Sequence, residues 1–430
     1  MKKYSFSLLL LLLLGVLPVG AQIRGNNISV TVVPDHQDWN YKVGQTAQFK
    51  VSVTKSSTLL DNVVVDYEAG PEMYADVKKQ GVTLKDGTMT WKGKMTNPGF
   101  YRLTVTAHVA GKEYKGSCTA AFSPELLKPT TVEPQDFDAF WQKTLEEARW
   151  TALMPQRKLL PERSNEDVNV YQVSYQNIRW GSRTYGILSV PTKPGRYPAL
   201  LRVPGAGVRP YSGDTYTAPT QAIVLEIGIH GVDVTQPQPF YDNLMQGALN
   251  CYWDFGMDNR DHSYYKRVVV GCVRSVDYIA SLPEWDGKTI GVTGSSQGGF
   301  LSYATAALDK RITFVAAVHP ALCDHTASLQ GVACGWPHYF YDNKGKGMEK
   351  HIETSRYYDG VNFVRRIQCP TWVSFGYNDD VVPPTTAYAT YNTLTCPKTL
   401  SIYQQTAHFW YQEQWDEWQQ WMKKQLGVRE

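Results

Sequence analysis

Six residues from Gly294 to Gly299 read Gly-Ser-Ser-Gln-Gly-Gly and place Ser296 between glycines two positions away on either side. The segment follows the apolar run KTIGVT and precedes the helix-like run FLSYATAAL. A serine on a sharp turn from a strand into a helix forms a nucleophile elbow, where only small neighbours avoid a clash. Free N–H groups at the start of the helix would face that serine. The pattern predicts Ser296 as a nucleophile and the N–H of Gln297 as an oxyanion donor.

A serine hydroxyl is a weak nucleophile at neutral pH and needs a general base, which an acid must orient. In chains with a nucleophile elbow of this kind, the acid and then the histidine follow the serine. Asp379 and Asp380 come shortly after the strand-like run PTWVSFG, and residue type alone leaves both open as the acid. His408 follows the run KTLSIYQQ and is the only histidine after the two aspartates. We therefore predict that His408 is the base.

A second oxyanion donor is expected from a loop after an early strand. The run LLRVP is followed by Gly205-Ala206-Gly207. Small residues allow a backbone N–H to come close to a substrate oxygen. We predict that Ala206 supplies this N–H, and a plain tight turn, which would keep the same glycines, stays as the alternative.

Alternating strand-like and helix-like runs must hold these residues. From about Tyr171, apolar runs such as QAIVLEIGI, ITFVAAVHP and PTWVSFG alternate with helix-like runs such as YKRVVVGCVRSVDYIASL. This alternation predicts a doubly wound, mostly parallel sheet of the α/β-hydrolase fold. Residues 323–366 lack the rhythm and are predicted to be an insertion near the active site. Near the end of the chain, Trp415, Trp418 and Met422 share one helix face, which we interpret as core packing.

The chain before this region has a different texture. Residues 22–123 carry six β-like runs separated by turns and no helical run, which predicts an immunoglobulin-like β-sandwich. Residues 124–135 contain three prolines and are predicted to be an extended linker. The amphipathic run FDAFWQKTLEEARW then opens the predicted catalytic domain, residues 136–430.

Residues 1–21 read MKKYSFSLLLLLLLGVLPVGA, with a short basic start, an apolar run and a small-residue ending. This pattern predicts a signal peptide cleaved after Ala21, and hence export to the periplasm or the medium. A membrane anchor is the alternative reading. The apolar run is short for a span and no second apolar run follows, so we expect no stable membrane insertion.

Composition excludes several classes of protein. The 430 residues are 43% hydrophobic and 19% charged, as in a folded chain of two or three domains. The net charge of +3 falls to about +1 once Lys2 and Lys3 are removed, and such a balance does not favour nucleic-acid binding. The seven cysteines are scattered without a CxxC pair, so no zinc site is predicted. Export would permit disulfides, but no pairing can be assigned from the sequence.

Residues 134–426 resemble the acetyl xylan esterase and cephalosporin-C deacetylase family, carbohydrate esterase family seven. Beside GSSQGG, the resemblance includes FDAFWQ, the Arg274–Asp277 pair before LPEWDGK, and the segment PALCD that ends at Asp324. It also includes GYNDDVVPP, whose spacing places the family's acid on Asp379. The resemblance implies deacetylation of small acetylated sugars, without metal or cofactor and often in oligomers.

Three segments depart from the family's pattern. His230-Gly231-Val232 stands where the family usually has Arg-Gly-Gln, and His408-Phe409 stands where it has His-Glu. Pro204-Gly205-Ala206 replaces His-Gly-Tyr at the second oxyanion loop. Family members are commonly single-domain, whereas this chain carries a leader and a β-rich region. None of these departures changes Ser296, Asp379 or His408, the three predicted catalytic residues.

The expected substrate is an acetylated xylan or another acetylated plant-polysaccharide oligosaccharide. Aromatic residues of the insertion could stack on sugars or pack within the protein; they are Trp336, Tyr339, Tyr341, Tyr357 and Tyr358. Two other functions stay open. One is a serine peptidase of the prolyl-oligopeptidase type, which has a similar elbow but a far larger propeller partner. The other is a non-catalytic carbohydrate-binding protein on a hydrolase fold.

Overall fold

The computed structural model describes residues 26–341 and 347–428. The predicted signal peptide, residues 1–21, lies outside the described residues. Within the described part of the chain, no helix is both long enough and apolar enough to cross a membrane.

The first hundred described residues form two antiparallel sheets. Their strands are β1 (Ile28–Pro34), β2 (Asn40–Tyr41), β3 (Thr46–Lys55), β4 (Thr58–Leu59), β5 (Val63–Pro71), β6 (Val77–Leu84), β7 (Thr88–Lys94), β8 (Gly99–Val109) and β9 (Lys112–Phe122). One sheet joins β1, β3, β4 and β7, and the other has the order β2-β9-β8-β5-β6. Only the short β2–β9 pairing is parallel.

Period-two burial explains these strands. In β3, Phe49, Val51 and Val53 are buried, and in β8, Leu103 and Val105 are buried, with more exposed residues between them. The buried side chains of both sheets belong to one apolar cluster. Strand β6 was not predicted because its side chains are mostly exposed, as is usual for a charged edge strand. The immunoglobulin-like topology stays a prediction.

The remaining strands form one nine-stranded sheet with the order β10-β11-β12-β14-β13-β15-β16-β17-β18. The strands are β10 (Gln156–Leu159), β11 (Val168–Gln176), β12 (Arg183–Pro191), β13 (Tyr197–Arg202), β14 (Ile223–Gly228), β15 (Trp285–Ser295), β16 (Phe314–Val318), β17 (Thr371–Phe375) and β18 (Lys398–Ile402). The pairings β10–β11, β11–β12 and β12–β14 are antiparallel. The other pairings in this order, from β14–β13 to β17–β18, are parallel. The mixed α/β architecture therefore agrees with the predicted sheet.

Eight helices accompany this sheet in the described ranges. They are α1 (Phe137–Arg149), α2 (Gln238–Gln246), α3 (Tyr264–Ala280), α4 (Gln297–Leu308), α5 (Glu349–Tyr357), α6 (Gly360–Val364), α7 (Pro384–Thr393) and α8 (Gln412–Leu426). The segments predicted above as helices correspond to α1, α3, α4 and α8, whereas α2 was not predicted. The insertion, residues 323–366, contains α5 and α6 and no strand among its described residues.

Both faces of the sheet are covered. In β16, Phe314, Ala316 and Val318 belong to the apolar cluster that contains α8, whereas Val315 and Ala317 belong to the larger cluster that contains α3 and α4. Alternate side chains of a strand point to opposite faces, so helices lie on both sides. Trp418 and Met422 are buried against the first face, which confirms core packing for that helix.

The register of the parallel strands sets the position of the site. Ser295 at the end of β15 pairs with Val318, Val318 with Ser374, and Ser374 with Ser401. These four residues are level at the carboxyl edge of the sheet. The predicted catalytic residues follow these strand ends, so all of them emerge at one edge.

Candidate active site

Ser296 lies at the turn between β15 and α4 and has φ 60° and ψ −123°. A positive φ is uncommon for a residue with a side chain, and such a conformation costs about 1–3 kcal/mol. The two glycines make the turn possible. A Cβ on Gly294 or on Gly298 would lie 2.5 Å from the carbonyl oxygen of Val203. The structure therefore has the steric arrangement that the motif predicts.

Backbone hydrogen bonds hold this turn to the neighbouring strand. The N–H of Ser296 donates to the carbonyl of Val318 at 2.8 Å. The carbonyl of Ser296 accepts from the N–H of Ala321 at 3.0 Å. Because one bond goes to the last residue of β16 and the other to the segment that follows it, the strained serine is fixed relative to that part of the sheet edge.

The two predicted partners of the serine are directly bonded to each other. Nδ1 of His408 lies 2.8 Å from Oδ2 of Asp379. The other oxygen of Asp379 accepts the N–H groups of Val381 and Val382 at 2.9 and 2.8 Å. Asp379 is fully buried, whereas Asp380 is exposed. The geometry therefore pairs the histidine with Asp379 and leaves Asp380 in solvent.

His319 connects the histidine to the serine turn. Its ring centroid lies 5.2 Å from that of His408, and it directly follows Val318, the residue that accepts the Ser296 N–H. Asp379 occupies Nδ1 of His408, so Nε2 is the nitrogen left for a reacting hydroxyl. Ser296 and His408 thus flank the same short segment at the sheet edge. The reaction between them is a proposal, argued below.

Sequence reasoning missed His319. It is 1% exposed, and its Nε2 has no hydrogen-bond partner among the described residues. Burial lowers the pKa of His319 to about 4. The ring is therefore neutral beside His408 at neutral pH, and it adds no positive charge there. No signal in the sequence marked it, because it precedes the acid along the chain.

The loop of residues 205–207 lies beside Ser296. A Cβ on Gly205 would be 3.9 Å from Cβ of Ser296. Nη2 of Arg209 donates to the carbonyls of Gly205 and Ala206 at 2.9 and 3.2 Å. In a trans peptide the N–H points opposite to the carbonyl. The N–H of Ala206 therefore points away from Arg209. No signal in the sequence indicated that Arg209 contacts this loop.

The side chain of Gln297 joins the elbow to this loop. Its Oε1 accepts from the phenols of Tyr252 and Tyr265 at 2.7 and 2.8 Å, and its Nε2 lies 3.3 Å from the carbonyl of Pro204. Gln297 is fully buried. Its backbone N–H is the first of α4 and has no partner within the helix. The residue can thus present its N–H to an oxyanion while its side chain positions the second loop.

His230 holds the other end of the loop. Its Nε2 lies 3.0 Å from the carbonyl of Gly207 and its Nδ1 lies 2.7 Å from the hydroxyl of Tyr264. A carbonyl only accepts, so Nε2 carries the proton and Nδ1 accepts from the phenol. Burial lowers the pKa of His230 to about 4, so the ring stays neutral. His230, in the segment that departs from the family's pattern, therefore supports the loop of residues 205–207 by a hydrogen bond.

The aromatic side chains of the insertion have different surroundings. Tyr357 and Tyr358 are buried and pack against Phe140 at ring centroid distances of 4.9 and 6.4 Å. Trp336 is partly exposed and packs against Trp253 at 5.2 Å. Packing therefore accounts for the two tyrosines, and only the less buried rings of the insertion are available to a sugar.

Two motifs that carry the family resemblance serve the fold. Arg274 Nη1 donates to Asp277 at 3.0 Å, and Asp277 also pairs with Arg149. Asp324 of the PALCD segment accepts the N–H groups of Thr130 and Thr131 at 2.9 Å. The predicted linker is therefore bonded to the insertion through a buried carboxylate.

Known proteins are similar to this chain over most of its length. Residues 125–425 match the family model described as acetyl xylan esterase (AXE1). Acetyl esterase Axe7A of Xylanibacter ruminicola is 39% identical over 436 residues, which cover 99% of this chain and 97% of that protein. The likeness therefore extends through the N-terminal strands.

Two solved structures share the fold. An acetyl xylan esterase from Paenibacillus sp. R4 is 27% identical, with a TM-score of 0.62, and covers 70% of this chain and 98% of its own. Acetyl xylan esterase 1 from Thermoanaerobacterium sp. JW/SL YS485 is 24% identical, with a TM-score of 0.61, and covers 70% and 97%. At this identity the second likeness bears on the fold alone.

Proposed function

The chain belongs to the acetyl xylan esterase family, and from that premise we propose that it is a serine carboxylesterase that removes acetyl groups from xylan or other plant-polysaccharide oligosaccharides. The observation that carries the proposal is the 2.8 Å contact between His408 and Asp379 at the sheet edge where Ser296 is held with a positive φ. A strained serine and an oriented imidazole together favour nucleophilic acyl transfer.

The proposed reaction proceeds through an acyl-enzyme. Nε2 of His408 takes the proton of the Ser296 hydroxyl as the oxygen attacks the ester carbonyl. The N–H groups of Gln297 and Ala206 stabilise the oxyanion, and one such donor contributes about 3–4 kcal/mol. The alcohol leaves with the proton from His408. Water then gives a proton to His408, attacks the acyl carbon and releases acetate, and Ser296 regains its proton.

The acid has an electrostatic and an orienting role. Asp379 accepts the Nδ1 proton of His408, so the neutral imidazole presents an unprotonated Nε2 to the serine. When His408 takes up the serine proton, the buried carboxylate stabilises the imidazolium. The two N–H groups on its second oxygen prevent it from rotating away.

The other two functions have less support. A prolyl-type peptidase would need a propeller partner, and the described N-terminal strands form two small sheets instead. A non-catalytic binding protein would have no need to keep a strained serine and a carboxylate-bonded histidine at the same edge of the sheet. We also propose that residues 22–123 are an immunoglobulin-like β-sandwich before an α/β-hydrolase domain, that the protein is exported, and that it acts without metal or cofactor.

Labelling and acetate release test the proposal. The wild type should react with a fluorophosphonate probe and release acetate from acetylated xylo-oligosaccharides. Ser296→Ala should lose both properties with an unchanged circular dichroism spectrum. Turnover retained by that folded variant would refute the mechanism. Cleavage of prolyl amides, with no cleavage of acetyl esters, would favour the peptidase.

A further inference from the structure

Strands of the N-terminal sheets contact the turn that carries the predicted acid. Nη2 of Arg102, in β8, donates to the carbonyl oxygens of Asp379 and Tyr377 at 2.8 and 3.2 Å. Arg102 is 277 residues away from Asp379 along the chain. The guanidinium therefore holds the main chain of the acid itself and of the residue two before it.

The same arginine is fixed by a buried carboxylate. Its Nη2 also donates to Oε1 of Glu72 at 2.8 Å, and Oε2 of Glu72 accepts from the hydroxyl of Thr385 at 2.8 Å. Thr385 lies at the start of α7, on the other side of the acid turn. The side chains of Arg102 and Glu72 are only 16% and 1% exposed. The pair is thus hydrogen-bonded to the chain both before and after Asp379.

A third contact lies between these two. The hydroxyl of Thr119, in β9, donates to Oδ1 of Asn378 at 3.0 Å, and Nε of Arg102 donates to the same hydroxyl at 2.8 Å. The amide of Asn378 donates to the carbonyl of Ser117 at 3.3 Å. Residues 377, 378 and 379 therefore all have polar partners in β8 or β9.

The chemistry of these contacts favours a positioning role over ordinary packing. A buried ion pair is costly unless further hydrogen bonds satisfy it, and here those bonds go to the acid turn. Burial raises the pKa of Glu72 to about 7, although the Arg102 guanidinium opposes that rise. Loss of either partner would leave a buried charge beside the turn, so the turn would have to move or take in water.

We propose that β8 and the residue just after β5, in the N-terminal sheets, support the acid turn, and that Arg102 and Glu72 are positioning residues that hold Asp379 in line with His408. This rests on the proposed function, since it assigns a role in the same reaction. A misplacement of about 1 Å in a catalytic group can cost about 10²-fold in rate. The acid turn is thus completed by a separate part of the chain.

The test uses the full chain and four variants. Arg102→Met should lower kcat for p-nitrophenyl acetate by about 10²-fold with little change in KM. Arg102→Lys, which keeps a cation, should recover part of the rate. The double variant Glu72→Gln with Arg102→Met leaves no unpaired buried charge and should stay folded but slow. Lys78→Met removes the exposed Lys78–Glu68 pair of the same sheet and should keep wild-type kcat.

A pH–rate profile separates positioning from folding. If Asp379 is displaced, the acidic limb of kcat/KM, which reports the base, should shift in Arg102→Met and not in Lys78→Met. Wild-type kcat and an unshifted limb in the folded double variant would overturn the proposal. An inactive wild type, or an active Ser296→Ala, would instead count against the proposed function itself.

Discussion

The side-chain amide of Gln297 lies 3.3 Å from the carbonyl oxygen of Pro204, so the residue after Ser296 is tied to the loop that is predicted to carry the second oxyanion donor. The phenols of Tyr252 and Tyr265 both donate to the oxygen of this amide, which fixes its orientation. The two sides of the predicted oxyanion site are therefore joined by one buried side chain.

Gln297→Met should lower kcat for acetyl esters by about 10-fold or more, because the loop loses its tie to the elbow. It should also lower the free energy of unfolding by about 1–3 kcal/mol, since two phenols stay buried without an acceptor. Steady-state kinetics and urea unfolding measure both effects. Tyr265→Phe removes only one donor and serves as the milder control. Equal activity of Gln297→Met and wild type would exclude the tie.

Arg209→Met should lower kcat without lowering stability. The guanidinium is exposed, and it orients the peptide that presents the Ala206 N–H. Loss of a full oxyanion donor costs about 10²–10³-fold, so a misdirected one should cost up to that amount. Arg179→Met is the matched control, because Arg179 is also exposed and is not among the described residues that hydrogen-bond to this loop. A normal kcat in Arg209→Met would show that the loop keeps its orientation unaided.

Asp379→Asn and Asp380→Asn should differ sharply. An amide at position 379 can stabilise the wrong imidazole tautomer and cannot stabilise an imidazolium, so kcat should fall by up to about 10⁴-fold. Asp380 is exposed, and its amide variant should keep wild-type kcat. Both variants are assayed with p-nitrophenyl acetate after their circular dichroism spectra are compared. The reverse order of activities would place the acid on Asp380.

His319 predicts a change in acid stability. Its pKa is lowered from 6.5 to about 4 in the folded protein by burial. Between pH 4 and 6.5 the unfolded chain therefore binds more protons than the folded protein. The free energy of unfolding should then rise with pH across this window and decrease as the pH falls.

Replacement of His319 by Phe should reduce this slope by up to about 1.4 kcal/mol per pH unit. Urea unfolding of the wild type and of His319→Phe at several pH values between 4 and 7 measures it. His262→Asn, at an exposed position, is the control and should keep the wild-type slope. An unchanged slope in His319→Phe would mean that the ring is protonated in the folded protein.

Several features could be predicted from local residue patterns. The glycine spacing around Ser296 is a short-range steric requirement, and the structure has the positive φ that it implies. Apolar runs such as those of β16 and β17 indicate buried parallel strands because both faces of each strand are covered. Strands β6 and β10 could not be predicted in this way, since their exposed side chains leave no apolar pattern.

Other features depend on contacts between distant parts of the chain. Asp379 and Asp380 are adjacent and chemically identical, so residue type left both open; the family spacing pointed to Asp379, and its burial and its contact with His408 agree with that choice. His319 and Arg102 carry no motif. Their positions follow from strand register and from the packing of the N-terminal sheets on the acid turn.

The sequence by itself thus determined the parallel strands, several helices, the strand-to-helix turn at Ser296 and the chain order of the predicted catalytic residues, because steric and periodic requirements act over a few neighbours. The tertiary structure decided that Asp379 is buried against the imidazole while Asp380 is exposed, which side chains hold the loop of residues 205–207, and that β8 contacts the turn at Asp379. Those outcomes arise from hydrogen bonds and burial between residues up to 277 positions apart, which no local pattern encodes.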